Sequence, residues 1–317
     1  MGSAVPKNDQ VKVLQFELPA NSLTLGDLVG RSARFVRTNY RFIYELFLIP
    51  TAAYVVCWEI LFWIADHLWA PVGGNANVAL DLRVGIVVFC FFAIWFCLFW
   101  LRVKALTLWL LMTGHETTKD GAVKRARDLR MLWIFLPTAC IELIEAVWST
   151  LLMIFISQAD TKSVSAAFQI TGLYFGLLIL WLLPFRMLAT FNLYPAYHAL
   201  VSEQTIGKGF AKFWFYCRRA PMTLFLATFL LVFVINSIEM PIMLPPAIGG
   251  GLRAIHAFSK ETIEWIELIP RLVMEILIGV VSTAMCAAFA VLLDNQLKIK
   301  LEGRDVTADL EQFRTRV

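Results

Sequence analysis

Four glutamates lie inside hydrophobic stretches of the sequence: Glu59, Glu145, Glu239 and Glu275. A charge at the centre of a bilayer costs about 2.5–3.5 kcal/mol on insertion scales, so such residues are rare and mark functional sites or polar pairs. Carboxylates at this depth could bind a cation, a proton or an amine headgroup. They are therefore the first candidates for chemistry in this chain.

Two further charged residues belong to the same candidate intramembrane site. Glu142 lies one helical turn before Glu145, and Arg271 lies one turn before Glu275. Residues at this spacing share a helix face, so Arg271 can pair with Glu275 or with a carboxylate of a neighbouring helix. Two hypotheses remain open. The charges line a polar cavity on the outer side, or they form structural pairs that fix helix register.

The elements that position these residues are membrane spans. The chain has 317 residues, 59% hydrophobic and 16% charged, with a mean hydropathy of +0.69. Soluble domains are about 45–50% apolar and about 25% charged, and about 20 apolar residues cross a membrane as a helix. The sequence therefore predicts an all-α membrane protein with six transmembrane helices. These lie near 42–68, 84–112, 131–157, 165–188, 222–246 and 268–293.

Lysine and arginine predict the orientation of these spans. Of the 28 basic residues, 23 lie in the N-terminal segment, in the stretches 102–130 and 186–219 that end the second and fourth spans and continue beyond them, or after the last span. The positive-inside rule places these parts in the cytoplasm, with both termini. We expect a multi-pass protein of the inner (cytoplasmic) membrane. It would have a cytoplasmic segment at 1–41, a transmembrane domain at 42–293 and a cytoplasmic tail at 294–317.

The cytoplasmic segments have the pattern of amphipathic helices. Thr24 and Asp27 have the spacing of a capping box and open a predicted helix at 24–41. Basic amphipathic helices lie in the headgroup plane and contact anionic lipid, and the same surfaces could dock a partner protein. The candidate contact residues are Arg31, Arg34, Arg37, Arg41, Lys124, Arg125, Arg127, Lys212, Arg218 and Arg219.

An internal repeat is suggested by the order of these segments. A basic segment, a span, a short turn and a second span occur in that order three times. The run LIPTAA at 48–53 resembles FLPTAC at 135–140. The pattern predicts three pseudo-repeated helical hairpins, all entering from the cytoplasm. Inverted repeats, common in secondary transporters, are not indicated.

Several chemistries lack their sequence signatures. No phosphate-binding, zinc-protease, nucleophile-elbow or dinucleotide motif is present. The six cysteines are scattered without ligand spacing, and no histidine pair has it either. We therefore predict no enzymatic activity, no cofactor and no metal, and the small net charge of +4 gives no indication of nucleic-acid binding.

Short motifs at the two ends of the chain resemble a known family. These are LTLGD at 23–27, RFVRTNY at 34–40, LDNQL at 293–297 and LEGRD at 301–305. They are similar to motifs in bacterial polytopic proteins grouped with the membrane domain of glycerophosphodiester phosphodiesterases. The phosphodiesterase of that family is a separate soluble barrel, for which this chain has no room. The resemblance therefore implies a membrane-embedded accessory or scaffold module, with no catalytic residue carried over.

Two functions are expected on these grounds. The first is a non-enzymatic integral membrane scaffold or accessory subunit that binds a partner protein, a second copy of itself or anionic lipid at the cytoplasmic face. The alternative is a transporter or lipid-handling protein that uses the buried carboxylates.

Overall fold

The computed structural model describes residues 14–68, 76–128, 135, 196–197, 200, 206–254 and 259–302. Within these ranges the chain is helical and contains no strand. Four segments are long and apolar enough to cross a membrane: Tyr40–Leu61, Val88–Met112, Pro221–Leu252 and Thr262–Leu301. The protein is thus a multi-pass helical membrane protein. The predicted spans near 131–157 and 165–188 lie outside the described residues, and six spans and the repeat remain predictions.

The first two helices are divided at Asn39. Helix α1 spans Leu25–Thr38, and α2 spans Tyr40–Leu68. The predicted capping box is present, because the Thr24 side chain accepts a hydrogen bond from the Asp27 N–H while Asp27 accepts from Thr24. The side-chain and backbone hydrogen bonds from Thr24 hold the pKa of Asp27 below its usual value. The predicted helix at 24–41 is divided at Asn39, whose backbone (φ −108°, ψ 23°) departs from helical geometry before α2 begins at Tyr40.

Helix α3 spans Ala76–Met112 and is followed by the short helix α4, Lys119–Ala126. The turn between them contains Gly114, whose φ of 72° favours glycine. Thr118 caps α4 by accepting a hydrogen bond from the Gly121 N–H. The turn thus reverses the chain, and α4 packs against α3.

The next three described helices follow one another with only short connections between them. Helix α5 spans Ile206–Arg219, α6 spans Pro221–Glu239, and α7 spans Leu244–Ala254 after a 3-10 turn at Met240–Met243. The predicted span at 222–246 is regular only as far as Glu239. Pro241 removes a backbone donor and produces the 3-10 turn, whereas Pro245 is tolerated in the first turn of α7.

Helix α8 spans Lys260–Glu302 and is the longest helix that the described residues contain. Its 43 residues correspond to a length of about 64 Å, roughly twice the 30 Å hydrocarbon core of a bilayer. The predicted span at 268–293 lies within α8, which continues beyond it in both directions, and Pro270 lies inside the helix without ending it. The predicted start of a separate tail at 294 falls within α8.

Most of the deeply buried side chains lie towards one end of the bundle. We call this the basic end, made of α1, the first two turns of α2, the last three turns of α3, α4, α5 and the C-terminal half of α8. Its core joins residues from distant parts of the chain: Leu28, Phe35, Ile43, Phe47, Leu106, Trp109, Phe289 and Leu292. Helix α6 begins at the same end and contacts α1 there. The basic end therefore has a packed core of its own.

An extended segment, residues 14–24, crosses the basic end. Here it is called the N-terminal strap. Asn39 exchanges two hydrogen bonds with the backbone of Gln15, and Gln296 exchanges two with the backbone of Leu23. Asn295 donates a further hydrogen bond to the Pro19 carbonyl. Side-chain amides thus make the hydrogen bonds that an adjacent β-strand would otherwise make with this extended backbone.

Candidate functional site

Three of the predicted intramembrane charges are brought together between α2 and α8. Arg271 Nη2 lies 2.6 Å from Glu59 Oε1, and Arg271 Nε lies 3.6 Å from Glu275 Oε1. The three side chains are half-buried. We call these residues the charged triad. The pairing of Arg271 with a neighbouring helix was one of the options predicted from the sequence, and the i,i+4 contact was the other.

Close packing of α2 on α8 fixes the position of the charged triad. Gly279 lies so near Thr51 that a Cβ at position 279 would be 2.9 Å from Thr51 Cγ2. Glu59 lies two turns after Thr51 on α2, and its partner Arg271 lies two turns before Gly279 on α8. The two helices are therefore antiparallel and keep the same register from one contact to the other. The Tyr44 hydroxyl also donates to the Leu277 carbonyl, at 3.3 Å. A glycine at the closest approach is the usual device for such helix contacts in membranes.

Two buried hydroxyls lie on these helices, that of Thr51 on α2 and that of Ser282 on α8. Within the described part of the chain neither hydroxyl has a hydrogen-bond partner. An unmade hydrogen bond in a buried place costs about 1–3 kcal/mol.

The other three predicted members of the site are Glu142, Glu145 and Glu239. Glu239 is half-buried at the last position of α6, beside the 3-10 turn. Glu142 and Glu145 lie outside the described residues. The structure thus brings together Glu59, Arg271 and Glu275 from the six candidates.

The charged triad has unequal charge. With all groups ionised, one guanidinium faces two carboxylates. The separation of 3.6 Å leaves the Glu275 contact too long for a hydrogen bond. Accordingly, Arg271 Nε has no hydrogen-bond partner among the residues described, although the atom is buried. The charged triad can join α2 to α8 as a structural ion pair. Its loosely held carboxylate, Glu275, can also accept a proton or a cation.

The predicted contact residues on α1 form an exposed row. Arg31, Arg34, Arg37 and Arg41 are all exposed, whereas Leu28, Phe35 and Val36 on the opposite side are buried. Helix α1 packs against α8 and α6. Its apolar face is therefore covered by protein, and the arginines face outwards.

The predicted contact residues on α4 differ from one another. Lys124 and Arg127 are exposed. Arg125 is half-buried, donating to Glu116 Oε1 at 3.1 Å and to the Leu200 carbonyl at 3.0 Å. Arg125 therefore holds α4 to the rest of the basic end, a role that its position in a basic run does not reveal.

The predicted contact residues on α5 lie near its C-terminal end. Arg218 and Arg219 are exposed, and Lys212 is half-buried. The Arg219 guanidinium lies 5.6 Å from the centre of the Phe215 ring, which is a cation–π distance.

A second charged cluster at the basic end was not predicted. Asp294 and Lys298 form an ion pair of 2.5 Å, with side-chain exposures of only 3% and 11%. The Lys298 Nζ also lies 5.5 Å from the Tyr197 ring, which stacks on Trp109. The i,i+4 spacing of an acidic and a basic residue in the LDNQLK run is the signal that could have identified this pair.

His115 lies beside this cluster. Its Nδ1 is 3.5 Å from the Tyr197 hydroxyl and 3.1 Å from Thr113 Oγ1. Partial burial lowers the pKa of His115, and the positive charges of Arg125 and Lys298 act in the same direction. Hydrogen bonding to Thr113 and the charge of Glu116 oppose this shift.

Metal-ligating clusters are absent from the described ranges, where no group of three or more His, Cys, Asp or Glu side chains could hold an ion. Cys57 and Cys97 are near neighbours, with their sulfurs 4.0 Å apart, and both are free thiols. These contacts are the packing of small side chains between α2 and α3.

Comparisons with protein-family models, curated proteins and solved structures find no match to this chain. The fold and site described above define a multi-pass helical membrane protein. The resemblance to the membrane domain of glycerophosphodiester phosphodiesterases stays a prediction.

Proposed function

We propose that this protein is a non-enzymatic integral membrane scaffold or accessory subunit that binds a partner protein or lipid through its basic end. The observation that carries the proposal is the row of exposed arginines on α1. Arg31, Arg34 and Arg37 recur about once per turn, and Arg41 continues the row into α2. The row is about 15 Å long at 1.5 Å per residue.

The row is suited to binding because α1 is held firmly. Leu28 and Phe35 are buried in the core with α8, and the capping box fixes the first turn. The arginines are therefore presented by a helix that cannot rotate freely. A preorganised charged surface binds with a smaller loss of conformational entropy than a mobile one, and it favours an anionic partner.

The positive-inside rule supports placing the basic end in the cytoplasm. With this orientation, both termini are cytoplasmic and the charged triad lies in the outer half of an inner-membrane protein. A cysteine introduced at position 160, in an outer connection of this topology, should react with an impermeant reagent from outside. Labelling of that cysteine from the cytoplasmic side alone would contradict the topology.

Extraction in a mild detergent followed by mass spectrometry tests the scaffold proposal. A stoichiometric partner, or a second copy, should be retained by the wild-type protein. It should be lost in the variant Arg31→Gln/Arg34→Gln/Arg37→Gln. The control is Lys208→Gln/Lys300→Gln, which removes two exposed charges that are not among the predicted contact residues and should retain the partner. Recovery of the wild-type chain alone and monomeric would refute the scaffold proposal.

The charged triad supports a second candidate, a transporter or lipid-handling protein. The supporting observation is the spare carboxylate, since Arg271 contacts Glu59 closely and Glu275 only loosely. In the outer half of a membrane, this carboxylate could take up a proton, a cation or an amine headgroup. Ionisable residues inside membranes commonly mark such pathways.

Flux into proteoliposomes separates this candidate from the scaffold. If the charged triad is a transport site, Glu59→Gln and Glu275→Gln should abolish solute or proton flux while the protein remains folded. The matched control is Glu45→Gln, because Glu45 is an exposed carboxylate on α2 whose ion pair with Lys119, at 3.5 Å, lies outside the charged triad. Equal flux in all three variants would reject the transport role.

A further inference from the structure

Helix α5 has two different faces. Tyr216 is buried in the protein core, and Phe210 and Phe213 pack against that core. Trp214 and Phe215 are on the other side and are exposed, Trp214 by 64%. The exposed side thus carries large aromatic surface next to the exposed guanidinium groups of Arg218 and Arg219.

The exposed aromatic surface continues into the next helix. Only Ala220 separates α5 from α6. On α6, the exposed residues Met222, Phe225, Leu226, Phe229 and Phe233 form an apolar stripe. Because α6 is long and apolar enough to cross a membrane, this stripe is a surface for lipid chains. The change from arginine to methionine between 219 and 222 marks the level of the headgroups.

Helix α1 provides a contrast within the same molecule. Its exposed face has arginines and small residues but no exposed large hydrophobic side chain between 25 and 38. Such a face is suited to water or to a soluble partner. Helix α5 combines exposed aromatic rings with arginines, which is the composition of a helix lying at a membrane surface.

We infer that α5 is an interfacial helix whose C-terminal end binds the headgroup of an anionic phospholipid. Trp214 and Phe215 enter the boundary between headgroups and acyl chains, where aromatic rings are favoured. Arg218 and Arg219 donate hydrogen bonds to the lipid phosphate, and the C-terminal end of the helix itself favours positive charge there. This inference deepens the proposed lipid binding of the basic end and assigns it to one helix.

Anionic lipid is preferred because the site carries no carboxylate. The 14 residues of α5 contain two lysines and two arginines but no aspartate or glutamate. A zwitterionic headgroup would place its ammonium group among these positive charges, whereas phosphatidylglycerol has no such group. Each basic residue near an anionic surface contributes about a fivefold gain in affinity.

Native mass spectrometry of the full-length protein in detergent tests the inference with phosphatidylglycerol and phosphatidylcholine as probes. The wild-type protein should retain phosphatidylglycerol preferentially. The variant Arg218→Gln/Arg219→Gln should bind phosphatidylglycerol about 30-fold more weakly, with phosphatidylcholine little affected. At about 1 M salt, where the screening length is about 3 Å, the preference should largely disappear.

Two control variants make the result specific. Lys119→Gln/Lys300→Gln removes the same charge from α4 and α8, at positions outside the predicted contact residues, and should leave phosphatidylglycerol binding unchanged. Arg218→Lys/Arg219→Lys keeps the charge and should keep most of the affinity, so that a loss in the glutamine variant reports the lost charge. Unchanged binding in Arg218→Gln/Arg219→Gln, or an equal loss in Lys119→Gln/Lys300→Gln, would overturn the inference. Partner retention by the α1 row is measured separately, so either proposal can fail alone.

Discussion

Leu23 and Gln296 form a pair of hydrogen bonds across almost the whole chain. The Leu23 N–H donates to Gln296 Oε1 at 2.7 Å, and Gln296 Nε2 donates to the Leu23 carbonyl at 2.9 Å. The side-chain amide of Gln296 therefore makes the pair of hydrogen bonds that a neighbouring β-strand would make with the backbone of Leu23. Both residues lie in short motifs singled out in the sequence, LTLGD at 23–27 and LDNQL at 293–297. Their contact gives those distant motifs a common structural role.

Replacing Gln296 by leucine should release the N-terminal strap at Leu23. The substitution leaves a backbone donor and acceptor without their partners, at a cost of about 1–3 kcal/mol. Hydrogen exchange at the Leu23 amide and proteolysis of residues 15–23 should both accelerate. Asn236→Leu, at an exposed position on α6, is the control and should change neither. Unaltered exchange at Leu23 in the Gln296 variant would show that the pair does not hold the strap.

Gly279→Ala should destabilise the α2–α8 contact, because the new methyl group would meet Thr51 Cγ2 at 2.9 Å. Overpacking of this kind costs about 1–3 kcal/mol. Adding Thr51→Ser removes that Cγ2 methyl and should restore most of the lost stability. Thermal unfolding in detergent micelles of both single variants and the double variant measures the effect. A double variant no more stable than Gly279→Ala would contradict the close approach.

Lys298→Met should be strongly destabilising because it leaves the Asp294 carboxylate buried without its cation. Breaking a buried ion pair on one side costs about 3–5 kcal/mol. Replacing both residues, as Asp294→Leu/Lys298→Met, should restore much of the unfolding free energy. The control is Lys300→Met, because Lys300 is exposed on the same part of α8. Equal unfolding midpoints for the two lysine variants would count against a buried pair.

His115 should make stability decrease in mildly acidic solution. Its pKa is lowered in the folded protein from the ordinary 6.5, chiefly by burial. The unfolded chain therefore binds a proton more readily, and stability is lost as the pH falls below about 6.5. This contribution is fully present above that pH. Unfolding midpoints at neutral pH and between pH 5 and 6 should differ less in His115→Gln than in the wild-type protein. An identical pH dependence would exclude His115 as the cause.

Local features were predictable from sequence. The capping box at Thr24 follows from hydrogen-bonding groups three residues apart, and the structure confirms it. The contact of Arg271 with Glu275 follows from helical spacing, whereas its second partner was expected only as a carboxylate of a neighbouring helix and is Glu59. The apolar runs identified the four membrane-length helices within the described ranges. Short spacings and long apolar runs are signals that a single sequence contains.

Contacts between distant segments were not predictable. Nothing in the sequence of Gln296 or Asn39 shows that their amides bind the backbone of the N-terminal strap. The continuation of α8 beyond the predicted span was not indicated, because its last turns are polar in sequence yet buried in the structure, as Asp294 illustrates. The role of Arg125 was likewise hidden in a basic run. Each error arose because partners lie far apart in sequence, and burial there depends on tertiary packing.

The packed core of the basic end has a consequence for synthesis of the protein. This core joins Leu28 and Phe47 to Phe289 and Leu292, so it cannot close before α8 has been made. A nascent chain leaves the apolar face of α1 uncovered while the intervening helices enter the membrane. Contacts between distant residues form slowly, so chaperones would bind the chain during this interval. Assembly of the basic end would then be the last step of maturation.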